Sequence, residues 1–367
     1  MELSPSISSP PKYPLFYITK WPLFVLRFTG YLPHQTKNGL LQDPWTLHNP
    51  YLWWSLLVAF TFIARDAIYH LNLRDVLQLV GQTLATDLFT QTLYAFVFTV
   101  LQLGFVLFPV ANHKKVAHFW KENSKFLEFV LEKNFMEFKS FAHITRTNVQ
   151  NISFAVLLSF LTTVSAFSNR SSFVRLMTKG FSGWKLFSFR FTVISWNFSN
   201  YLHACFSIFL VSFLRIYATV LEALSKRIWE TVQSSEACTE RLRHCIRIYE
   251  WIERLIKMFE HLYGYLILAD LCMAGFTVTT CMYFFVQCLK ANDMENIWYY
   301  AINLYCYTAR VYRISNGATA VSVALQKLSH STAALVFNAK SKPGMDDTIC
   351  DQVGTCFTLI LYNQRMT

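Results

Sequence analysis

The stretch Cys245–Cys288, CIRIYEWIERLIKMFEHLYGYLILADLCMAGFTVTTCMYFFVQC, decides how this chain reads. In its first half Ile246, Tyr249, Ile252, Leu255, Ile256, Phe259, Leu262 and Tyr263 recur at steps of three and four, while Arg243, Arg247, Glu250, Arg254 and Lys257 fall mostly between them. That is a helix with one apolar face. From Leu262 onward Asp270 is the only charged side chain as far as Cys288. A helix of that length, at about 1.5 Å per residue, exceeds the roughly 30 Å of bilayer hydrocarbon. One continuous helix therefore spans a membrane and runs on into the cytosol. Several more runs of the same kind argue against a single buried helix of a soluble protein.

Composition points the same way. The chain of 367 residues is 53% hydrophobic and 17% aromatic, and only 15% is charged, against about 25% in ordinary soluble domains. No composition break marks a second domain, so residues 1–367 read as one transmembrane helical domain. The net charge of +11 does not point to nucleic acid, because the basic residues form no run of five and sit between apolar spans. The nine cysteines make no CxxC pair and no metal-like spacing with histidine, so neither a metal nor a cofactor is expected. HExxH, GxSxG, GxGxxG and P-loop patterns are absent, and nothing in the sequence suggests an enzyme.

In chain order, five prolines before Leu23 interrupt any signal-peptide core, so no cleavage is expected. The segment Pro22–Pro33 predicts a short interfacial helix carrying Leu23, Leu26 and Arg27, ended by Gly30 and Pro33. Spans are predicted at residues 51–71, 88–110, 151–167, 191–218, 262–289 and 297–320, with a short seventh at 353–362. Arg65 and Asp66 lie near the end of the first, where long side chains reach headgroups. Between the second and third spans, Phe119, Leu127, Val130, Leu131, Phe135 and Phe138 alternate with charges and predict a second cytosolic helix. With the N-terminus inside, 21 Lys and Arg fall on the cytosolic side and 8 outside, as the positive-inside rule prefers. The loop from Asn169 to Arg190 runs against that trend with five basic residues. It also holds the sequon Asn169-Arg170-Ser171, which makes Asn169 the expected glycosylation site.

The opening Leu-Arg-Gly-Pro arrangement of residues 23–33 and the helix that passes through Gly264 to Tyr283 and Phe284 resemble the insect gustatory receptors, of the insect chemoreceptor superfamily. That family's C-terminal signature is Thr, Tyr, five hydrophobic residues, Gln, Phe. This chain ends VGTCFTLILYNQRMT. With Thr355 as the motif threonine, Cys356 replaces the tyrosine and Tyr362 and Asn363 replace Gln and Phe; with Thr358, Gln364 arrives one position early. The resemblance implies an all-α, polytopic membrane bundle of about seven spans. It further implies a ligand-gated, non-selective cation channel in the cell membrane, built as a homo- or hetero-tetramer with related receptors around one pore. Small-molecule tastants and membrane lipid are its implied partners.

The outer ends of spans two, four, five and six collect Asp87, Gln91, Tyr94, Trp196, Asn197, Asn200, Tyr283, Gln287, Trp298, Tyr299 and Asn303. Aromatic faces separated by amides suit a small neutral ligand. Trp298 and Tyr299 equally suit interfacial anchors, and the amides equally suit contacts between helices. Asp270 and Arg310 stand at matching depth on spans five and six and predict a buried charge pair, with Arg313 the other candidate partner. Thr355, Thr358, Leu359 and Tyr362 share one face of the last run and are the expected pore lining. An odorant receptor of the same superfamily, a transporter and a polytopic lipid-modifying enzyme are the alternatives; a transporter would carry internal repeats or broken paired spans, and such an enzyme a His, Asp or Cys cluster at a membrane face.

Overall fold

The computed structural model describes residues 11–46, 48–80, 85–133, 135–167, 183–233, 239–290, 292 and 294–339. Helix α1 spans Pro14–Phe28, followed by a hairpin of β1, Thr36–Lys37, and β2, Leu40–Leu41. Then come α2 (Pro50–Val80), α3 (Ala85–Ala111), α4 (His113–Glu132), a 3₁₀ turn at Phe138–Phe141 and α5 (Ala142–Phe167). The three longest helices close the described chain: α6 (Gly183–Gln233), α7 (Thr239–Lys290) and α8 (Met294–Ala339).

The helix over Cys245–Cys288 is continuous as read, passing through Gly264 without a break. Its amphipathic half buries Tyr249, Ile252, Leu255, Phe259, Leu262 and Tyr263. The partner for that face is α4, which buries Phe119, Leu127, Val130 and Leu131 together with Val116, Trp120 and Phe126. The two apolar stripes meet in an aromatic cluster: Phe119 lies 5.6 Å from Tyr263 and 5.0 Å from Phe213 of α6, ring to ring. Aromatic pairs at these separations add about 0.5–1.5 kcal/mol each beyond area burial.

Among the described residues three helices are long and apolar enough to cross a membrane: Pro50–Ile68, Ala204–Glu230 and Glu240–Lys290. A fourth is reached if the bent pair of α3 and α4 counts as one. They differ in what surrounds them. The α6 window is 78% buried inside the protein, while those of α2 and α7 are 28% buried. So α6 is the central post of the bundle, and α2 and α7 turn apolar surface outward. Helices α6 and α8 share the most extensive packing. At Gly317 they approach so closely that a Cβ would sit 3.2 Å from Val211 and 3.3 Å from Leu214.

Two local features depart from the sequence reading. The first helix begins at Pro14 and ends at Phe28, and Pro22 lies inside it rather than opening it. Proline lacks the N–H that would bond the carbonyl four residues back. The freed Ile18 carbonyl instead accepts from Asn148 Nδ2 of α5 at 3.5 Å, and Ser212 of α6 donates to Asn148 Oδ1 at 3.1 Å. Leu23 and Leu26 are buried against the protein, so the outward face of α1 is a different one, made of Tyr17, Trp21, Phe24 and Phe28. The second departure is the hairpin. Asn38 and Gly39 have φ of 52° and 73°, the left-handed pair that a two-residue turn needs and that Asn-Gly supplies at least strain. The Gly39 carbonyl then accepts from Trp120 Nε1 at 2.8 Å, clipping the linker onto α4.

Between α3 and α4 the chain bends by 72°. The break falls at Asn112, whose backbone leaves the helical region at φ −103° and ψ 25° and starts α4 anew.

Candidate ligand and gating region

The residues expected to contact a ligand fall into three groups. Asp87, Gln91 and Tyr94 stand in the first turns of α3, and Trp196, Asn197 and Asn200 in the first third of α6; their side chains and that of Tyr299 lie outside the described set. Tyr283, Gln287 and Trp298 are exposed and face away from the bundle, Trp298 by 67%. Asn303 is buried. The end of α7 and the start of α8 are joined where Phe284 stacks on Tyr300 at 5.5 Å, with Tyr283 edge-on to Phe284 at 5.2 Å. The structure thus brings the carriers of Tyr283 and Trp298 together at one end of the bundle, while Asn303 turns inward one and a half turns further on. Thr355, Thr358, Leu359, Tyr362 and Asn169 lie outside the described residues.

Deeper in the bundle lies a polar layer. Asp270 of α7 and Arg310 of α8 are both almost wholly buried, and Arg310 Nε donates to Asp270 Oδ2 at 2.9 Å, with a second contact between Nη2 and Oδ1. Two guanidinium donors on one carboxylate make a fork whose planar geometry lysine does not reproduce. Tyr307, one turn before Arg310, presents its ring 5.9 Å from the guanidinium carbon.

Arg65 of α2 is the second buried cation, and here the expectation of a headgroup-reaching side chain is corrected. It is fully buried and turned inward, donating to Thr99 Oγ1 at 2.7 Å and Gln102 Oε1 at 3.0 Å on α3, with the Phe62 ring 5.1 Å away. Asp66 accepts from Thr99 at 3.2 Å. A charge in a dry interior is held by such hydrogen bonds or it is strongly destabilising. The signal was present in α3, where Thr99 and Gln102 share one face at a three-residue step, but nothing in the pattern said which helix they faced.

Tyr31, in the linker between α1 and α2, is fully buried within electrostatic reach of both Arg65 and Arg310. Burial raises its hydroxyl well above the ordinary phenol range, with the two arginines pulling the other way. The linker therefore inserts a neutral phenol into the interior, its ring 6.4 Å from that of Phe206 on α6. A few residues on, His34 is also fully buried; desolvation lowers its imidazole to about 4, so it is neutral at physiological pH. Its Nε2 lies 3.3 Å from the His113 carbonyl, at the first residue after the α3–α4 bend.

Neither a family model nor a curated protein matches the chain by sequence. By structure, it is similar to the insect olfactory receptor OR5 from Machilis hrabei, at 15% identity and a TM-score of 0.59, covering 94% of this chain and 88% of that one. The same receptor in complex with eugenol matches at 14% identity with the same score and coverage. The chain has the fold of an insect olfactory receptor. The match extends over nearly the whole chain. Among the described residues, no three His, Cys, Asp or Glu side chains cluster as metal ligands would.

Proposed function

We propose that the chain is a gustatory-type chemoreceptor of the cell membrane, a ligand-gated non-selective cation channel that assembles as a tetramer and opens on binding small tastants. The observation carrying this reading is the olfactory-receptor fold over 94% of the chain, joined to the gustatory-type residues around Arg27, Gly30 and Gly264. That the similar receptor was solved with eugenol favours a small, weakly polar aromatic ligand, stacked on rings such as Tyr94, Trp196 and Tyr299 and hydrogen-bonded by Gln91, Asn197 and Asn200. Counted over the seven spans of this reading, the 21 to 8 distribution of basic residues favours an inside N-terminus. Tyr283, Gln287 and Trp298 face outward, which suits lipid or a neighbouring subunit. The match to an olfactory receptor also favours a second reading, an odorant receptor of the same superfamily, and the ligand separates the two.

The test is calcium imaging of cells expressing the full chain, challenged with panels of soluble tastants and of volatile odorants. A calcium response to a member of the first panel supports the gustatory reading, and one confined to the second supports the odorant reading. Thr358→Cys should make the current sensitive to a thiol reagent applied during opening. Silence to both panels, when a chimaera carrying a complete last span from a related receptor responds, would show that this form does not conduct.

A further inference from the structure

The outward face of α1 is unusual for a helix whose other face is fully engaged. Pro14, Leu15, Ile18, Pro22, Leu23 and Leu26 are buried against α4, α5 and α6. Tyr17, Trp21, Phe24 and Phe28 are 38%, 45%, 62% and 63% exposed. Their spacing of four, three and four residues places all four rings within an arc of about 60° on the helix, at about 100° per residue. A contiguous exposed stripe of that kind marks an interaction surface.

Three observations choose the occupant. First, the stripe runs into surface that already faces the membrane: Trp54 Nε1 at the start of α2 donates to the Phe28 carbonyl at 2.7 Å, and beyond it Trp53, Leu57 and Phe60 continue outward along a candidate span. Second, the rings are of the type that settles at the boundary between headgroups and acyl chains, a flat apolar body with a polar edge in Trp and Tyr. Third, the flank is cationic. Lys12 and Lys20 are exposed and stand over the Tyr13 and Trp21 rings at 5.6 and 5.8 Å, and residues 3–42 contain four basic side chains and no acid.

We propose that this face of α1 is a docking surface for an anionic lipid leaflet, with Trp21, Phe24 and Phe28 wedged at the headgroup boundary and Lys12 and Lys20 against lipid phosphates. The inference rests on the membrane reading above and adds to it a lipid selectivity. Because the opposite face of α1 packs on α6, lipid held at the stripe also holds the central post of the bundle.

Tryptophan quenching by brominated lipid tests it on the full chain in vesicles of phosphatidylcholine containing brominated phosphatidylserine or brominated phosphatidylcholine. The Trp21 signal is the difference between the wild type and Trp21→Phe, and Phe24→Trp in the Trp21→Phe background supplies the same readout by gain. Trp53, isolated in the same way with Trp53→Phe, is the control on the candidate span. Trp21 should be quenched, and more strongly by the brominated serine lipid. Lys12→Gln with Lys20→Gln should remove that preference, by about fivefold per lysine for charges near an anionic surface. Trp21 unquenched beside a quenched Trp53 would overturn the proposal and assign the stripe to protein, including a second copy of the chain. Equal quenching by the two lipids would also overturn it. If neither tryptophan is quenched, the membrane reading itself fails.

Discussion

Replacing Asp270 by alanine removes the carboxylate that faces Arg310 across α7 and α8, in a site where both side chains are at most 4% exposed. Water cannot replace the lost partner there, so the median of 0–1 kcal/mol for surface ion pairs does not apply. Breaking a buried pair on one side costs about 3–5 kcal/mol, because it strands the remaining charge. That is a large part of the 5–15 kcal/mol by which folded proteins are usually stable. It amounts to about two to three and a half powers of ten in the folded-to-unfolded ratio. Asp270→Ala should therefore deplete the protein from membranes of expressing cells and lower its unfolding midpoint in detergent, measured by fluorescence-detected gel filtration after heating. Asp270→Ala combined with Arg310→Ala should recover part of the loss, since no charge is left stranded. Strictly additive losses in the double variant would refute the pairing energy and reduce the contact to coincidence of packing.

Three further outcomes follow from the same geometry. Gln102→Leu takes one acceptor from the buried guanidinium of Arg65 and should cost about 1.5–3 kcal/mol, read as a lower unfolding midpoint; an unchanged midpoint would show that Gln102 does not hold the charge. His34, lowered to about 4 by burial from an unfolded value near 6.5, binds more protons when unfolded. Its contribution is fully present above about pH 6.5 and is lost progressively as the pH falls toward about 4, by about 3 kcal/mol at most; melts at pH 7 and pH 5 should differ more in the wild type than in His34→Gln. Asn169 is expected to carry the glycan, so the wild type should shift on endoglycosidase treatment and Asn169→Gln should not, while no shift in the wild type would count against the outward placement of that loop.

The sequence alone determined the element type and its periodicity. A long apolar run leaves a helix as the only way to satisfy its backbone, and a three-four repeat of Tyr249, Ile252, Phe259 and Tyr263 names the buried stripe wherever that helix goes. The candidates Asp270 and Arg310 were legible for the same reason, since an isolated charge in an apolar run demands a partner at its own depth. Tertiary structure alone decided which surfaces meet. Arg65 has the same sequence surroundings as a side chain that reaches a headgroup, yet α3 lies against α2 and turns it inward onto Thr99 and Gln102. Leu23 and Leu26 look like the membrane face of α1, but Asn148 and α6 occupy that side and leave the aromatic stripe outside. Hydrophobicity specifies that a face must leave water; only packing specifies whether protein or lipid receives it.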